Sequence, residues 1–433
     1  MSDTTSKNNL QIGRLSFNIA GTLARRLITL PIGLLNVFLL ARILGPTGLG
    51  QYNLAIFLPL FILTFFNLGI PPANVYYLGR NANDVGDALQ ANIIIWLGGI
   101  FIGTVVGLII ILFFPNALFP DVPLVYLWLA LIAYPIILLS KLFNSILQGI
   151  QNFRDFNIIA VLIPIASLVL IFITTVILKG QVVGALITYI LSQFIGLIFA
   201  ITRLYHLILK RQNLSKIIEY IKKALTYGWK ANLSNLITFF NYRIDVYLIN
   251  LFLNPTSVGL YFAAVRLIEL LWIPSVAVST VMNPRISELY EDEESRQSLT
   301  PLAARFTFII TTVLGLIMLM VGFPIFSLLG IGYENSYPIF VVLMPGSILI
   351  SLSRIFANDL ASRGHLKFNV YTAAMTFVIE IIFILLLAPQ YKLIGFAVAT
   401  SVAYGLQTFV SLFFYIRVTN LSIMKIFMPT QLD

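Results

Sequence analysis

The sequence predicts an all-α polytopic membrane protein of about twelve transmembrane helices, in two six-helix lobes related by a pseudo-twofold axis along the membrane normal. Three observations point there. Of 433 residues, 59% are hydrophobic and only 10% charged, whereas a soluble domain carries roughly a quarter charged residues. Apolar runs long enough to cross a bilayer, roughly 20 residues each, recur along the whole chain. A twelve-residue turn motif appears twice, once in each half.

Spans are expected near 14–40, 52–78, 88–114, 124–148, 156–178 and 181–208, then 227–252, 259–284, 303–330, 337–360, 368–388 and 394–418. The polar start MSDTTSKNNLQIGR lacks the short apolar stretch and small-residue cleavage site of a signal peptide, so the first span is expected to be retained. Lys and Arg set the orientation. With the N-terminus inside, sixteen of the 27 basic residues fall in inner segments, three (Arg42, Lys179 and Lys392) in outer loops, and eight within spans. That asymmetry places both termini in the cytoplasm of a multi-pass protein of the inner or plasma membrane. It also explains the net charge of +10 without nucleic acid, because the charge is dispersed along one membrane face.

The organisation expected is an N-terminal lobe, 1–208, a basic linker, 209–226, and a C-terminal lobe, 227–433. Lys210, Arg211, Lys216, Lys222 and Lys223 suit the linker to an amphipathic helix on anionic lipid, with an ordinary connector as the alternative. The acidic run Glu291–Glu294 reads as a solvated inner loop.

The repeat aligns LGPTGLGQYNLA, 44–55, with LNPTSVGLYFAA, 253–264. Leu44, Pro46, Thr47, Gly50, Tyr52 and Ala55 match Leu253, Pro255, Thr256, Gly259, Tyr261 and Ala264 at one offset. Each copy joins an odd span to the next on the outer side. Pro stops one helix, Gly allows a close turn, and Tyr is expected to anchor the next helix at the interface. Six spans per copy insert with the same orientation, so a substrate path between the halves is expected.

Ionisable groups inside spans usually face a cavity or a partner. Lys141, Arg305 and Asp359 lie near the inner ends, within snorkelling reach. Arg25, Arg26, Lys230, Arg243, Arg266 and Arg354 lie deeper, against Asp245, Glu269 and Glu380. This excess of bases suits an anionic substrate, and Arg suits phosphate because its planar fork donates two parallel hydrogen bonds. Lys230, Ser234, Asn241 and Asp245, with Tyr227 and Thr238 bordering, fall within an arc of roughly 60° on span 7, which a wet cavity explains better than a single helix contact. Pairing of Arg243 with Glu269, or of Asp245 with Arg266, competes with substrate contact. The basic set comprises the substrate-binding candidates. Asp245, Glu269, Ser234 and Asn241 are candidates for ion coupling or the cavity wall.

No P-loop, GxSxG elbow, HExxH or CxxC is present, and there is no Cys. His206 and His365 fall at expected inner edges, far apart. No cofactor or metal is expected. Uphill transport would draw on a Na+ or H+ gradient, or on the substrate's own gradient.

The segments 41–80 (ARILGPTGLGQYNLAIFLPLFILTFFNLGIPPANVYYLGR) and 243–289 (RIDVYLINLFLNPTSVGLYFAAVRLIELLWIPSVAVSTVMNPRISEL) resemble polysaccharide biosynthesis proteins of the O-antigen flippase (Wzx-like) type. These belong to the superfamily that also holds multidrug extrusion proteins and lipid II flippases. The resemblance implies two six-helix lobes around a central cavity lined by basic residues. It implies a polyprenyl diphosphate carrying a short glycan, moved between leaflets, with membrane lipids and glycan assembly proteins as neighbours of a monomer. On matching spans, Arg25 or Arg26 and Arg266 take the cavity role. Lipid II flippases usually carry two further helices, so the end at span 12 disfavours that branch. A small-molecule or cation extruder of the same fold is the alternative, disfavoured because spans 1–6 contain no buried acid. A membrane glycan polymerase or ligase is disfavoured by the short outer loops.

Overall fold

A computed structural model describes residues 2–208, 213–288 and 293–427, and their regular structure is helical, with no strand among the described residues. The helices are α1 (Ser2–Phe66), α2 (Ile70–Arg80), α3 (Val85–Phe113), α4 (Pro115–Leu118), α5 (Leu124–Gly149), α6 (Phe153–Ile171), α7 (Gln181–Ile208), α8 (Leu214–Phe252), α9 (Pro255–Ile268), α10 (Ile273–Glu288), α11 (Glu293–Leu329), α12 (Ser336–Ser362), α13 (Leu366–Thr419) and α14 (Ile423–Phe427). Among the described residues nine helical stretches are long and apolar enough to cross a membrane. The twelve expected spans are all accounted for. α1 and α13 each contain two, because the chain turns a corner inside each, at Gly45 (φ 65°) and at Lys392 (φ 49°). The twelfth is the second part of α8, whose Lys230, Arg243 and Asp245 lower its hydropathy.

The chain forms two compact units, 1–44 with 51–236, and 45–50 with 237–433. This division falls ten residues beyond the expected lobe boundary at 226/227. The reason is that the described part of the linker is the first turns of α8 rather than a separate helix. Those turns dock on α2: Tyr220 Oη donates to Asn74 Oδ1 (2.9 Å), Asn74 Nδ2 to Ser145 Oγ (2.8 Å), and Lys223 Nζ to Asp84 Oδ2 (3.0 Å). The Tyr227 ring stacks on Tyr76 at 4.5 Å, with Arg80 over the Tyr76 ring at 4.2 Å. Leu214, Ile218, Leu225, Trp229 and Leu233 form the opposite, exposed stripe of the same helix. Residues 209–212, with Lys210 and Arg211, lie outside the described residues, as does the acidic run up to Asp292.

In the first unit, α3 approaches α5 through Gly99, Gly103 and Gly107, one helical turn apart. The Tyr134 hydroxyl donates to Gly99 O at 2.7 Å, and a Cβ on Gly103 would lie 2.3 Å from that oxygen. Small residues let membrane helices come this close when no hydrophobic force separates them from lipid. Trp96 Nε1 adds a hydrogen bond to Pro135 O (2.9 Å), and Asn36 Nδ2 ties α1 to Pro164 O (3.0 Å).

In the second unit, α12 is the most enclosed span, flanked by small hydroxyl residues. Ser353 pairs with Ser411 (2.8 Å) and Ser351 with Thr311 (3.2 Å). The segment Gly45–Gly50 belongs to this unit because it packs on its own repeat copy. A Cβ on Gly50 would lie 1.7 Å from Pro255 O, and one on Gly259 would lie 1.9 Å from Pro46 O. Thr47 Oγ1 meets Thr256 Oγ1 at 2.8 Å. Equivalent residues thus face one another across a local dyad.

Candidate functional site

Of the basic candidates, Arg25, Arg26 and Lys230 belong to the first unit and Arg243, Arg266 and Arg354 to the second. Arg25 is half-buried, with its guanidinium over the Phe156 ring at 5.2 Å. Arg26 is exposed, and so is Lys230, which belongs to the first unit. Asn241 and Asp245 belong to the second unit, so the span-7 stripe is divided. Asn241 Nδ2 donates to Ala373 O (3.2 Å), and Asp245 is buried. The side chains of Ser234 and Thr238 lie outside the described residues. Lys141 is exposed. Asp359 does not snorkel: it is fully buried, accepting from Arg363 Nε and from Thr300 Oγ1 (2.8 Å).

The remaining bases line the interrupted span 8 and its neighbour. α9 gives way to a 3₁₀ turn, Glu269–Trp272, before α10 resumes. Arg266 donates through Nη1 to Glu269 Oε2 (2.7 Å), one turn along its own helix, and lies over the Phe262 ring at 4.7 Å. The i,i+3 spacing brings these groups together without a second helix. Arg243 and Glu269 both act electrostatically on Asp245. Arg354 lies over the Trp272 ring at 4.3 Å.

A second group, only partly legible in the sequence, is built around Asp245. Its Oδ1 accepts the Val246 N–H (2.7 Å), and the Tyr261 hydroxyl hydrogen-bonds its carboxyl group. Tyr261 Oη meets Thr400 Oγ1 at 2.9 Å, and Thr400 Oγ1 donates to Glu380 Oε1 at 2.9 Å. All four residues are buried, and Glu380 Oε2 has no hydrogen-bond partner among the described residues. Tyr261 is therefore not the interfacial anchor expected from the repeat. The signal available was that Glu380 is an intramembrane acid. Thr400 carried none.

Proton counting shows what this chain of groups can do. Asp245, Tyr261, Thr400 and Glu380 make three oxygen–oxygen contacts in series, but the two hydroxyls supply only two protons. With both carboxyls ionised, one contact lacks a proton and two negative charges share a region of low dielectric, which is strongly unfavourable. One added proton, or one small cation held by the oxygens, completes the arrangement. Among the described residues no group of three or more His, Cys, Asp or Glu is placed to hold a metal.

Comparison with known proteins agrees with this architecture. The chain is 21% identical over 417 residues, 93% of its length and 97% of the relative's, to a Shigella flexneri protein assigned as an O-antigen transporter. Among solved structures it resembles the lipid II flippase MurJ in an inward closed conformation, with a TM-score of 0.74, 17% identity, and coverage of 95% of this chain and 89% of that one. It resembles an inward-facing multidrug resistance MATE family transporter of the MOP superfamily to the same degree, with a TM-score of 0.73, 16% identity, and coverage of 92% and 98%. The fold is thus shared across transporters with different cargoes. The polysaccharide biosynthesis protein family matches residues 17–290, which is more than half of the sequence and includes both copies of the turn repeat. The chain belongs to that family.

Proposed function

We propose that this protein is a flippase, not an enzyme, that carries a polyprenyl-diphosphate-linked oligosaccharide from the cytoplasmic to the outer leaflet for surface polysaccharide assembly. The observation that carries the reading is family membership, joined to near full-length similarity to an O-antigen transporter. The charge pattern supports it: the deep cations outnumber the deep acids, which suits a diphosphate and disfavours a cationic drug. The inside-positive distribution of Lys and Arg supports cytoplasmic termini.

Movement between leaflets follows alternating access, with Arg25 or Arg26, Lys230, Arg243, Arg266 and Arg354 as the bases that meet the anionic cargo. The Asp245–Tyr261–Thr400–Glu380 chain is the coupling site, loaded by H+ or Na+. A protein that binds its cargo in one access state and its ion in another can exchange one gradient for the other without chemistry on the cargo.

The test is reconstitution in vesicles containing the lipid-linked oligosaccharide extracted from a deletion strain. Exposure of the glycan on the far leaflet should require the protein and should rise with an imposed H+ or Na+ gradient. Equal exposure in protein-free vesicles would overturn the reading.

A further inference from the structure

Lys141 is the single charged residue of α5, and between Ala133 and Gly149 it is the only exposed position of that helix. It does not share the side of α5 suited to lipid. At about 100° per residue, the exposed apolar residues Val125, Trp128 and Ile132 point about 140–180° away from it. Its own side is closed over the outer half of the helix. Leu127, Ala130, Tyr134 and Ile137 fall within about 40° of the same direction and are all buried. Ala130 packs with Ala55, Val182 and Leu186, and Tyr134 lies against the glycines of α3. The side opens at Lys141 and continues through Asn144 and Gln148, both half-buried, within an arc of about 60°. Lys141 therefore points into an opening of the first unit rather than into lipid.

Among the described residues Lys141 makes no ion pair or hydrogen bond, and Asn144 Oδ1 is buried without a partner. Lys141 lies eight residues before Gly149, about 12 Å from the inner end of the helix. An ammonium at that depth is costly unless water or an anion meets it. Phosphate oxygens suit it, because Lys binds them as a compact point charge. The amides of Asn144 and Gln148 follow about 4.5 Å and about 10 Å farther toward the inner end, and amides both donate to and accept from hydroxyls. A lipid-linked glycan at the inner leaflet presents its groups in this order, the diphosphate first and the hydroxyls of the adjoining sugar beyond it.

We propose that Lys141, Asn144 and Gln148 form a loading site on α5, in which Lys141 takes the diphosphate and the two amides take the sugar next to it. The proposal rests on the flippase reading above, and it assigns the first capture of the cargo to a stripe within the first unit.

The experiment compares binding of three probes to the purified full chain in detergent: polyprenol, polyprenyl diphosphate, and polyprenyl diphosphate carrying one hexose. The wild-type chain should prefer polyprenyl diphosphate over polyprenol by tenfold or more. Lys141→Gln should reduce that preference to threefold or less with polyprenol affinity unchanged, and Lys141→Arg, which keeps the charge, should stay within threefold of wild type. Asn144→Ala and Gln148→Ala should each weaken the hexose-bearing probe by threefold or more and leave the bare diphosphate within twofold. An unchanged preference in Lys141→Gln, or equal losses for polyprenol and polyprenyl diphosphate, overturns the loading site while the flippase reading stands. Displacement of the diphosphate probe by an equal concentration of phosphatidylglycerol would make this a site for bilayer phosphate and overturn its assignment to cargo. A wild-type chain that does not distinguish polyprenyl diphosphate from polyprenol overturns the flippase reading and the site together.

Discussion

Replacing Gly50 by Ala would set a Cβ 1.7 Å from the Pro255 carbonyl oxygen and 3.0 Å from the Gly259 nitrogen. No rotamer relieves this, because the obstructing atoms are backbone. Reaching ordinary carbon–oxygen contact requires the two segments to part by about 1.5 Å. That movement carries the Thr47–Thr256 oxygen pair from 2.8 Å beyond hydrogen-bonding range. Overpacking of this kind costs about 1–3 kcal/mol, and the lost hydrogen bond adds about 1 kcal/mol. Gly259→Ala meets Pro46 O at 1.9 Å and should cost as much. Gly33 and Gly98, where a Cβ meets nothing within 4 Å, serve as controls and should shift stability by no more than about 0.5 kcal/mol when changed to Ala. The assay is thermal unfolding of the purified protein in one detergent, followed by tryptophan fluorescence. Because either substitution alone separates the segments, the double variant should be much less destabilised than the sum of the singles, a coupling of about 1–3 kcal/mol. Strict additivity, or a Gly50→Ala variant as stable as the controls, would refute the dyad contact.

Three further outcomes follow from buried charge. Asp245→Asn and Glu380→Gln should each abolish or strongly weaken the dependence of transport on an imposed H+ or Na+ gradient; unaltered gradient dependence in both would remove the coupling site. Arg363→Ala should destabilise by about 3–5 kcal/mol, because it leaves Asp359, 0% exposed at its side chain, as an uncompensated buried charge; Asp359→Asn in the same chain should recover part of that loss in a thermal melt. At Glu293, at the start of α11, burial is the largest single influence and pushes upward, but the hydrogen bond and charge of Arg363 together with Gln297 and Arg296 outweigh it, so its carboxyl is held below its usual range. A carboxylate depressed in the folded state stabilises fully above its unfolded value of roughly 4.3 and loses that contribution as pH falls through the folded value. Its side chain is 48% exposed, so acid melts of wild type and Glu293→Gln should differ by at most about 1 kcal/mol, with the difference disappearing at low pH.

The sequence disclosed the twelve spans because hydrophobic length is a one-dimensional property, and the structure needed only to turn corners at Gly45 and Lys392. It disclosed the repeat because Pro46, Thr47 and Gly50 recur with their spacing intact. It did not disclose that the copies would touch, since contact between positions 209 residues apart leaves no local trace. The pairing of Arg266 was not legible, because Glu269 lies one turn along its own helix, and i,i+3 neighbours meet without a second helix. The 3₁₀ turn Glu269–Trp272 was not legible, because neither hydropathy nor periodicity registers it. The stripe on span 7 crosses the division between the units at 236/237, and a helical wheel does not record which part of a long helix packs with which unit.

The repeat itself supplies the sharpest remaining test, because Tyr52 and Tyr261 hold the same motif position with different surroundings. Tyr52 packs against the apolar cluster of Ala55, Ala130, Val182 and Leu186 in the first unit, whereas Tyr261 joins Thr400 and Asp245. Both copies carry the aromatic ring, but only Tyr261 has buried acids beside it, Asp245 directly and Glu380 through Thr400. Tyr261→Phe removes one of the two hydroxyl protons and breaks the chain between the carboxyls while keeping the ring. Thr400 still reaches Glu380, but Asp245 retains only its Val246 N–H. Leaving that buried acceptor short of a partner costs about 1–3 kcal/mol. In the wild-type background Asp245→Asn and Glu380→Gln should be non-additive in gradient-dependent transport, because both act on one proton or cation. In Tyr261→Phe the coupling energy between them should fall by at least half. Tyr52→Phe should leave it unchanged. A coupling energy insensitive to Tyr261, or equally sensitive to Tyr52, would mean that the two carboxyls do not communicate through the hydroxyl chain.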